Sequence, residues 1–171
     1  MIFKFCPKCG NSLISRTIEK KQRLICGHCG FIYYQNSKPT AGAVLVDKKG
    51  RVLLAKRRFN PKKGFWDIPG GFLENGEAPE DGMKRELKEE LGIKPKIDKL
   101  LGVFMGNYTI LSEKNSFFTL NFYYLCYLFS GELKPMSDVE EFRWFGKNKI
   151  PFKKLAFKCD QQALFIWLKQ K

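Results

Sequence analysis

Three glutamates on one predicted helix are the residues of this chain best suited to chemistry. Glu86, Glu89 and Glu90 have i, i+3 and i+4 spacing, which places neighbouring Cβ atoms about 5–6 Å apart on one helix face. Carboxylates this close repel each other, and Glu90 also borders the apolar stripe of the helix, where burial raises a carboxyl pKa. A hard divalent cation that takes oxygen ligands would relieve both effects. The alternative is a solvated acidic face with salt bridges to neighbouring Lys and Arg side chains.

The helix that must carry these glutamates is predicted from about Ala78 to Leu91. Pro79 stands in its first turn, where a missing N–H costs nothing, and Gly92 follows its last turn as a stop signal. An apolar stripe at about 100° per residue is formed by Met83, Leu87 and Leu91. One face is therefore predicted to pack on a core while the adjacent face presents the carboxylates.

A longer pattern surrounds the three glutamates. The segment Gly71–Ile93 matches G-x5-E-x7-R-E-U-x-E-E-x-G-U, with U aliphatic, at every fixed position. The matching residues are Gly71, Glu77, Arg85, Glu86, Leu87, Glu89, Glu90, Gly92 and Ile93. This pattern is the Nudix box, so the chain resembles the Nudix hydrolases. The resemblance implies an α/β (α+β) fold, namely an α/β/α sandwich with a mixed sheet, over roughly residues 40–171.

The resemblance also implies a reaction, the hydrolysis of a diphosphate linkage with Mg²⁺ or Mn²⁺. Carried onto this chain, it makes Glu86, Glu89 and Glu90 the catalytic residues, which would hold the metal together with the backbone carbonyl of Gly71. Glu77 and Arg85 would support them as a pair across the loop and the helix. The box leaves the general base open. A box glutamate, for which Glu86 is one candidate, is favoured over a later carboxylate; the later candidates are Glu113, Asp138, Glu140 and Glu141.

Substrate contacts are predicted outside these glutamates. Arg57 closes a predicted strand and is expected to point into the site, because a guanidinium binds phosphate well; a solvated strand end is the alternative. Phe65, Trp66 and Tyr108 could stack on a base or a flavin ring, although each would also suit an ordinary core. Gly82, in mid-helix, is proposed to leave room for metal or phosphate, with tolerated drift as the alternative.

Four cysteines predict a separate metal site near the N-terminus. Cys6-x2-Cys9 and Cys26-x2-Cys29 have the spacing of a structural Zn²⁺ site with four thiolates. The segment resembles a zinc ribbon, and two disulfides are the alternative. The domains are therefore predicted as a zinc ribbon over residues 1–35 and a Nudix hydrolase domain over 36–171. His28 is interpreted as a bystander.

The remaining pattern predicts a sheet and a second helix. The predicted strands are Ala41–Asp47, Arg51–Arg58, Trp66–Pro69, Lys99–Thr109, Phe117–Ser130 and Glu141–Phe145. The strand Phe117–Ser130 is apolar on both faces and is expected to be central. A C-terminal amphipathic helix is predicted over Asp160–Lys169, with Ala163, Leu164, Ile166, Trp167 and Leu168 facing inward.

Composition restricts the class of protein and its partners. The net charge is +14, and residues 1–63 hold 15 Lys and Arg against two acids, Glu19 and Asp47. A basic surface attracts phosphates, either of nucleic acid or of a small substrate, although generic surface lysine is the alternative. The sequence contains no run of 18 apolar residues, so it predicts no membrane span. A cytoplasmic location is the default expectation. The sequence does not determine whether the protein forms a homodimer.

The substrate is the least determined feature. The phrases CGHCGFIYYQNSKP, GRVLLAKR and GFWDIPGGFLENGE resemble zinc-ribbon pyrophosphatases that act on ADP-ribose or FAD. The NADH pyrophosphatase type, which also removes NAD caps from RNA, carries a Ser-Gln-Pro-Trp-Pro-Phe-Pro run after the box, and this chain has none. We therefore expect a small nucleoside diphosphate derivative, with NADH or capped RNA second. A third reading is a nucleic-acid-binding zinc ribbon with weak or no catalysis.

Overall fold

The N-terminal unit is a small antiparallel sheet whose loops carry the four paired cysteines. The computed structural model describes residues 3–110 and 115–170. The strands β1 (Leu13–Ile18), β2 (Lys21–Cys26) and β3 (Ile32–Tyr33) lie side by side in that order. The chain divides into two compact units, Met1–Ser37 and Lys38–Lys171.

The four cysteine sulfurs converge on one point of this unit. All four Sγ atoms lie within 4.8 Å of one another. The Sγ–Sγ separation is 3.6 Å for Cys6 and Cys29, and 3.5 Å for Cys9 and Cys26. Four sulfurs bound to a tetrahedral Zn²⁺ at about 2.3 Å would lie about 3.8 Å apart. The cluster therefore fits the predicted zinc ribbon.

The second unit is organised around a mixed sheet of seven strands. Its strands are β4 (Lys38–Val46), β5 (Val52–Arg57), β6 (Trp66–Asp67), β7 (Gly70–Phe72), β8 (Ile93–Ile110), β9 (Asn115–Gly131) and β10 (Val139–Phe145). The five longer strands have the order β10-β5-β4-β9-β8, with β6 beside β5 and β7 beside β4. Among the strand pairs of the described residues, only β4–β9 is parallel; an isolated bridge between Trp66 and Leu155 is also parallel.

Two helices cover the opposite faces of this sheet. The helices are α1 (Pro79–Leu91) and α2 (Lys158–Leu168), and 3-10 turns occupy Lys147–Lys149 and Phe152–Lys154. Leu45 of β4 packs with Leu87 of α1, whereas its neighbour Val44 packs with Leu164 of α2. Consecutive strand residues enter different cores because side chains alternate between the two faces of a sheet. This arrangement confirms the predicted α/β/α sandwich with a mixed sheet.

The predicted helix boundaries are close to the observed ones. Helix α1 begins at Pro79 and ends at Leu91, and Gly92, which caps it, has the left-handed φ of 71°. Helix α2 begins two residues before its prediction, at Lys158. The prediction that Ile166 faces inward is wrong, since its exposed fraction is 39%. The run of apolar residues near the C-terminus covers more of the helix than the sheet can bury.

The long hairpin β8–β9 is where the strand predictions were least complete. β8 begins at Ile93, directly after the helix stop, rather than at the predicted Lys99. Pro95 is accommodated because β8 is an edge strand with a register shift at that point. β9 lies between β4 and β8, which confirms its predicted interior position. In the described part of the chain, no helix combines the length and the apolar content needed to cross a membrane.

Candidate active site

Arg85 joins the turn that precedes helix α1 to the helix itself. Its Nε and Nη2 atoms donate to the two carboxylate oxygens of Glu77 at 2.9 and 3.0 Å, and Nη2 also donates to the carbonyl of Phe72 at 2.9 Å. Its Nη1 atom lies 2.9 Å from Glu86 and 3.2 Å from Glu89. The hydrogen bond from Arg85 lowers the pKa of Glu77. Arg85 thus holds the box glutamates in place, in the geometry expected of a supporting residue.

Glu86 and Glu90 point from the helix toward the sheet and lie partly buried beneath it. The Oε2 atom of Glu90 accepts a 3.0 Å hydrogen bond from the backbone N–H of Gly70. Burial raises the pKa of Glu90 well above its usual range, and the charges of Asp67 and Glu86 raise it further. Burial also raises the pKa of Glu86, although its ion pair with Arg85 opposes this effect. The site therefore holds several carboxyl groups whose negative charge is only partly compensated.

Two glycines allow the sheet to come this close to the glutamates. A Cβ atom on Gly71 would overlap the carboxylate of Glu86, with Oε2 at only 2.7 Å. A Cβ atom on Gly70, whose φ is 145°, would overlap the backbone of Ala41 and lie 2.6 Å from the Cα of Gly42 in β4. Because β7 pairs with β4 here, the first glycine of the box lies between the sheet and the catalytic helix.

A cavity of about 240 Å³ opens above these residues. Five acidic side chains line one part of it: Asp67, Glu74, Glu86, Glu90 and Asp138. Lys56 and Arg57 lie beside them, and the wall continues into an aromatic part with Phe72, Tyr108 and Phe157. An anionic ligand at the acidic part of the cavity would need bound cations to balance the negative charge of the carboxylates. The aromatic part provides an apolar wall.

The aromatic part is a stack of three rings with a cation at each end. Tyr108 stacks on Phe157 and on Phe117, with ring centroids 5.5 Å apart in both pairs. The guanidinium of Arg57 lies 5.2 Å from the Phe157 ring, and the ammonium of Lys38 lies 4.3 Å from the Phe117 ring. Both faces of the Tyr108 ring therefore have aromatic neighbours, and Phe72 meets the same ring edge-on with centroids 5.5 Å apart, so these rings form a packed apolar part of the cavity wall.

Arg57 lies in the cavity wall, as expected of a phosphate-binding residue, but two of its nitrogen atoms are already engaged. Its Nη1 donates to Asp67 at 2.6 Å and its Nε donates to the carbonyl of Pro61 at 2.7 Å. Its Nη2 atom is 3.4 Å from the hydroxyl of Tyr108. Arg57 can therefore offer a substrate the outer N–H groups of its guanidinium, rather than the whole fork.

Phe65 and Trp66 are not brought to the cavity. Trp66 is 8% exposed and packs edge-on against Phe145 in the core, with ring centroids 5.0 Å apart. Phe65 is exposed, and its ring lies beneath the ammonium of Lys62. Alternation along β6 explains the difference, because Trp66 turns to the core and leaves Asp67 to face the cavity. The third aromatic candidate, Tyr108, does line it.

The carboxylates that follow the box separate into two groups. Asp138 lines the cavity, whereas Glu140 and Glu141 pair with Lys56 at 2.9 and 3.5 Å. Glu113 lies outside the described residues. Asp67 was not predicted as a member of the acidic group, because a strand of two residues carries no periodic signal that shows which side chain faces the cavity.

Gly82 has a different role from the one predicted. A Cβ atom there would overlap the side chain of Leu73 and lie 2.8 Å from the carboxylate of Glu77. The space that this glycine leaves is therefore filled by the turn before helix α1, and not by a position open to metal or phosphate. The helical periodicity correctly predicts that Gly82 lies near the carboxylates, but it carries no information about Leu73 and Glu77, which pack against Gly82 from the preceding turn.

The box carboxylates, all among the described residues, are oxygen donors of the kind that a hard divalent cation takes, although no three of them converge within 4.8 Å as the four cysteine sulfurs do. Glu86 and Glu90 carry raised pKa values because they are buried beside other carboxyl groups, and Gly71 lies directly against Glu86. Such crowded oxygen ligands are stabilised by Mg²⁺ or Mn²⁺. Glu89 is more exposed, at 53%, and its position is held by Arg85.

Comparison with known proteins agrees with this geometry. The family model described as the NUDIX domain matches residues 36–166. The chain is a member of the Nudix family. A second model, described as Nudix N-terminal and representing a zinc ribbon, matches residues 4–35 of this Nudix protein. Both predicted resemblances are therefore confirmed.

Individual relatives support the same assignment. An "ADP-ribose pyrophosphatase" of Methanocaldococcus jannaschii is 38% identical over 66% of this chain and 63% of its own length. A "NAD-capped RNA hydrolase NudC" of Vibrio parahaemolyticus is 30% identical over 86% of this chain and 53% of its own. This Nudix chain thus spans only about half to three-fifths of these relatives. The crystal structure of a NUDIX hydrolase from Nitrosomonas europaea superimposes with a TM-score of 0.81 at 30% identity, over 99% of this chain and 92% of that one.

Proposed function

We propose that this protein is a metal-dependent pyrophosphatase that hydrolyses the diphosphate linkage of a nucleoside diphosphate derivative, best ADP-ribose or FAD. The single observation behind the proposal is the cavity in which the box carboxylates Glu86 and Glu90 meet Gly71 and continue into a wall of stacked rings. The carboxylates suit metal-assisted phosphoryl transfer, and the rings suit a nucleobase. The proposed domains are a zinc ribbon over residues 1–35, with a structural Zn²⁺, and a Nudix hydrolase domain over 36–171.

In this proposal the box residues hold Mg²⁺ or Mn²⁺. Glu86, Glu89, Glu90 and the backbone carbonyl of Gly71 are the proposed ligands. A bound divalent cation neutralises a diphosphate and lowers the pKa of a water molecule. Arg85 keeps Glu86 and Glu89 oriented through its two Nη1 contacts, and the N–H of Gly70 fixes Glu90. This preorganisation matters because positioning and charge stabilisation supply most of the rate in phosphoryl transfer.

The remaining cavity residues would bind the substrate. Lys56 and Arg57 are the cations of the described cavity wall and would face the phosphate charges. Tyr108, Phe72 and Phe157 would form the apolar wall against which the nucleobase packs. Phe65 and Trp66, which the sequence nominated, lie away from this wall and take no part in the proposal.

A box glutamate remains the proposed general base, with Glu86 as the candidate. Its partly buried carboxyl has a raised pKa, which suits a group that must accept a proton near neutral pH. Asp138 is the alternative, because it lines the cavity among the later carboxylates that the structure describes. Comparing the pH dependence of the Glu86→Gln and Asp138→Asn variants would separate the two.

The ranking of substrates rests on the names of the relatives and on the absence, after the box of this chain, of the Ser-Gln-Pro-Trp-Pro-Phe-Pro run. The relative with the higher identity is named for ADP-ribose, and the NudC relatives are named for NAD-capped RNA. NADH or NAD-capped RNA is therefore the second choice. RNA remains a candidate partner through this route, and no membrane partner is proposed.

A panel of diphosphates tests the proposal directly. ADP-ribose, FAD, NADH and NAD-capped RNA are each incubated with Mg²⁺ or Mn²⁺, and the nucleoside monophosphate product is quantified. We expect the highest kcat/KM for ADP-ribose or FAD. Glu90→Gln should abolish metal-dependent turnover with the fold intact, whereas the exposed control Glu132→Gln should keep it. A folded Glu90→Gln enzyme with full activity would rule out the metal assignment.

The zinc ribbon gives one specific reason to keep a nucleic-acid-binding alternative. Arg16 and Arg23 lie directly opposite each other in the β1–β2 register, a like-charged pair that is unfavourable and that Glu19, 3.6 Å from Arg23, offsets on one side. The Arg23 guanidinium lies 4.5 Å from the ring of Tyr34, which is 47% exposed. Salt-sensitive RNA binding without any turnover of the panel would favour this alternative.

A further inference from the structure

Asp160 is a fully buried acid that the proposed chemistry does not use. It lies in the first turn of α2 and is only 1% exposed. The hydroxyl of Tyr123 donates a hydrogen bond to its Oδ1 atom. Its Oδ2 atom has no hydrogen-bond donor among the described residues. A buried carboxylate oxygen left in this state is costly, so its surroundings must explain it.

The neighbour of this carboxyl group is another one. The side chains of Asp67 and Asp160 lie within hydrogen-bonding reach of each other, and burial first, then the charge of Asp67, raises the pKa of Asp160 well above the usual range. Two ionised carboxylates side by side without water would repel strongly. A proton on Asp160 removes the repulsion and gives a hydrogen bond from one carboxyl group to the other. The buried oxygen then becomes a donor and no longer lacks a partner.

The chain of contacts continues from Asp67 to the cavity. The Oδ2 atom of Asp67 accepts the 2.6 Å hydrogen bond from Nη1 of Arg57. Contacts therefore run from Tyr123 in the core through Asp160 and Asp67 to Arg57. Asp67 and Arg57 line the cavity, together with Tyr123 and Cys159 beside them.

We propose that Asp160 is a positioning residue of this active site, which acts as a neutral acid that donates a hydrogen bond to Asp67 and thereby fixes Arg57 in the cavity wall. The functional part of this inference rests on the proposed diphosphate hydrolysis, because Arg57 is the residue that would meet the phosphates. When Asp160 donates a hydrogen bond to Asp67, the side chain of Asp67 is fixed and its Oδ2 atom stays directed at Nη1 of Arg57. Without Asp160, Asp67 is free to turn toward solvent or toward Lys56, and Arg57 loses one of its two short anchors.

Two substitutions at Asp160 separate a neutral acid from an ionised one. Asp160→Asn keeps an acceptor for Tyr123 and offers an N–H donor to Asp67, so it should keep KM for ADP-ribose within about threefold of wild type. Asp160→Ala removes the donor and should raise KM about tenfold, the value of one displaced charge-assisted hydrogen bond, with a smaller change in kcat. Equal losses in both variants would overturn the neutral-acid assignment.

A double-mutant cycle tests whether the effect passes through Arg57. If Asp160 acts through that residue, Asp160→Ala should cost almost nothing further in an Arg57→Ala background. Fully additive losses would overturn the positioning role. Leu164→Ala, a core truncation in the same helix, is the stability control: it should lower Tm and leave KM unchanged.

An infrared difference spectrum gives a readout that does not depend on turnover. Wild type minus Asp160→Asn should contain the carbonyl band of a protonated carboxylic acid at neutral pH. Its absence would overturn the inference even in an active enzyme. If the substrate panel shows no hydrolysis, the proposed function fails, while this band still decides whether Asp160 is a neutral donor to Asp67.

Discussion

Replacing Gly71 with alanine should remove most of the activity while leaving the fold intact. The added Cβ atom would stand 2.7 Å from Oε2 of Glu86 and closer still to the rest of that carboxylate. Glu86 cannot stay where it is, since a carbon–oxygen contact needs more than 3 Å, and its tie to Arg85 at 2.9 Å limits where it can go. We expect the carboxylate to shift by about 1 Å. Misplacement on that scale costs roughly a hundredfold in rate, or about 2.7 kcal/mol of barrier.

The effect on stability should be much smaller. The Arg85–Glu86 pair is partly exposed, at 29% and 17%, and such pairs contribute about 0.2–1 kcal/mol. Gly146→Ala is the matched control, because a Cβ atom there meets nothing within 4 Å. The assay is metal-dependent hydrolysis of ADP-ribose with Tm measured in parallel. Expected results are a hundredfold loss of kcat for Gly71→Ala and no change for Gly146→Ala.

The cause can be checked with Glu86→Ala. If the lost activity comes from the displaced carboxylate, Gly71→Ala should do no further harm once that carboxylate is gone. A Gly71→Ala enzyme with wild-type kcat would refute the reasoning, since it would mean that the close approach of β7 to Glu86 has no bearing on the chemistry.

Three further outcomes are expected. Gly82→Ala gains about 1 kcal/mol of helix propensity but overlaps Leu73 and Glu77, so the free energy of unfolding should fall by about 1 kcal/mol net; a higher unfolding free energy in urea would mean that these neighbours move away freely. Glu77 has a lowered pKa because of Arg85, so its contribution is present above the ordinary pKa of a glutamate and is lost as pH falls through its folded value. The stability difference between wild type and Glu77→Gln should therefore be constant near neutral pH and shrink in acid, and a difference that grows in acid would contradict this. Finally, chelation should release one zinc ion per chain and unfold the ribbon while the sheet of the second unit persists; NMR spectra that stay unchanged after chelation would contradict the zinc assignment.

The box and the cysteine pairs were predictable because their chemistry depends on spacing. Glu86, Glu89 and Glu90 share a helix face whatever surrounds them, and two C-x2-C knuckles imply one metal. The sandwich was predicted through the resemblance of the box to the Nudix hydrolases, whereas the strand pattern alone left an α+β fold equally open. The box and the cysteine pairs are local in sequence, which is why a short pattern was enough to find them.

The features that were missed depend on contacts between distant elements. Asp67 was not predicted beside Trp66 because a strand of two residues shows no periodicity. Which of its side chains faces the cavity is decided by the pairing of β6 with β5. Asp160 was taken as an ordinary helix start, since its partners Tyr123 and Asp67 lie on two other elements. Gly82 was read from the helix alone, although the turn that fills its space comes from the preceding loop.

The two ends of the cavity explain why, in the proposed function, the box indicates which bond is cleaved but not which substrate carries it. At the acidic end Asp67, Glu74, Glu86 and Glu90 come from the box or from the strand just before it, whereas Asp138 comes from a later segment. At the other end the rings come from β7, from β8 and from the segment before α2, with Arg57 over the Phe157 ring. Tyr108 and Phe157 lie outside the box, so the box pattern does not determine them. Substrate choice should therefore change when Tyr108 or Phe157 is replaced, while metal dependence stays constant.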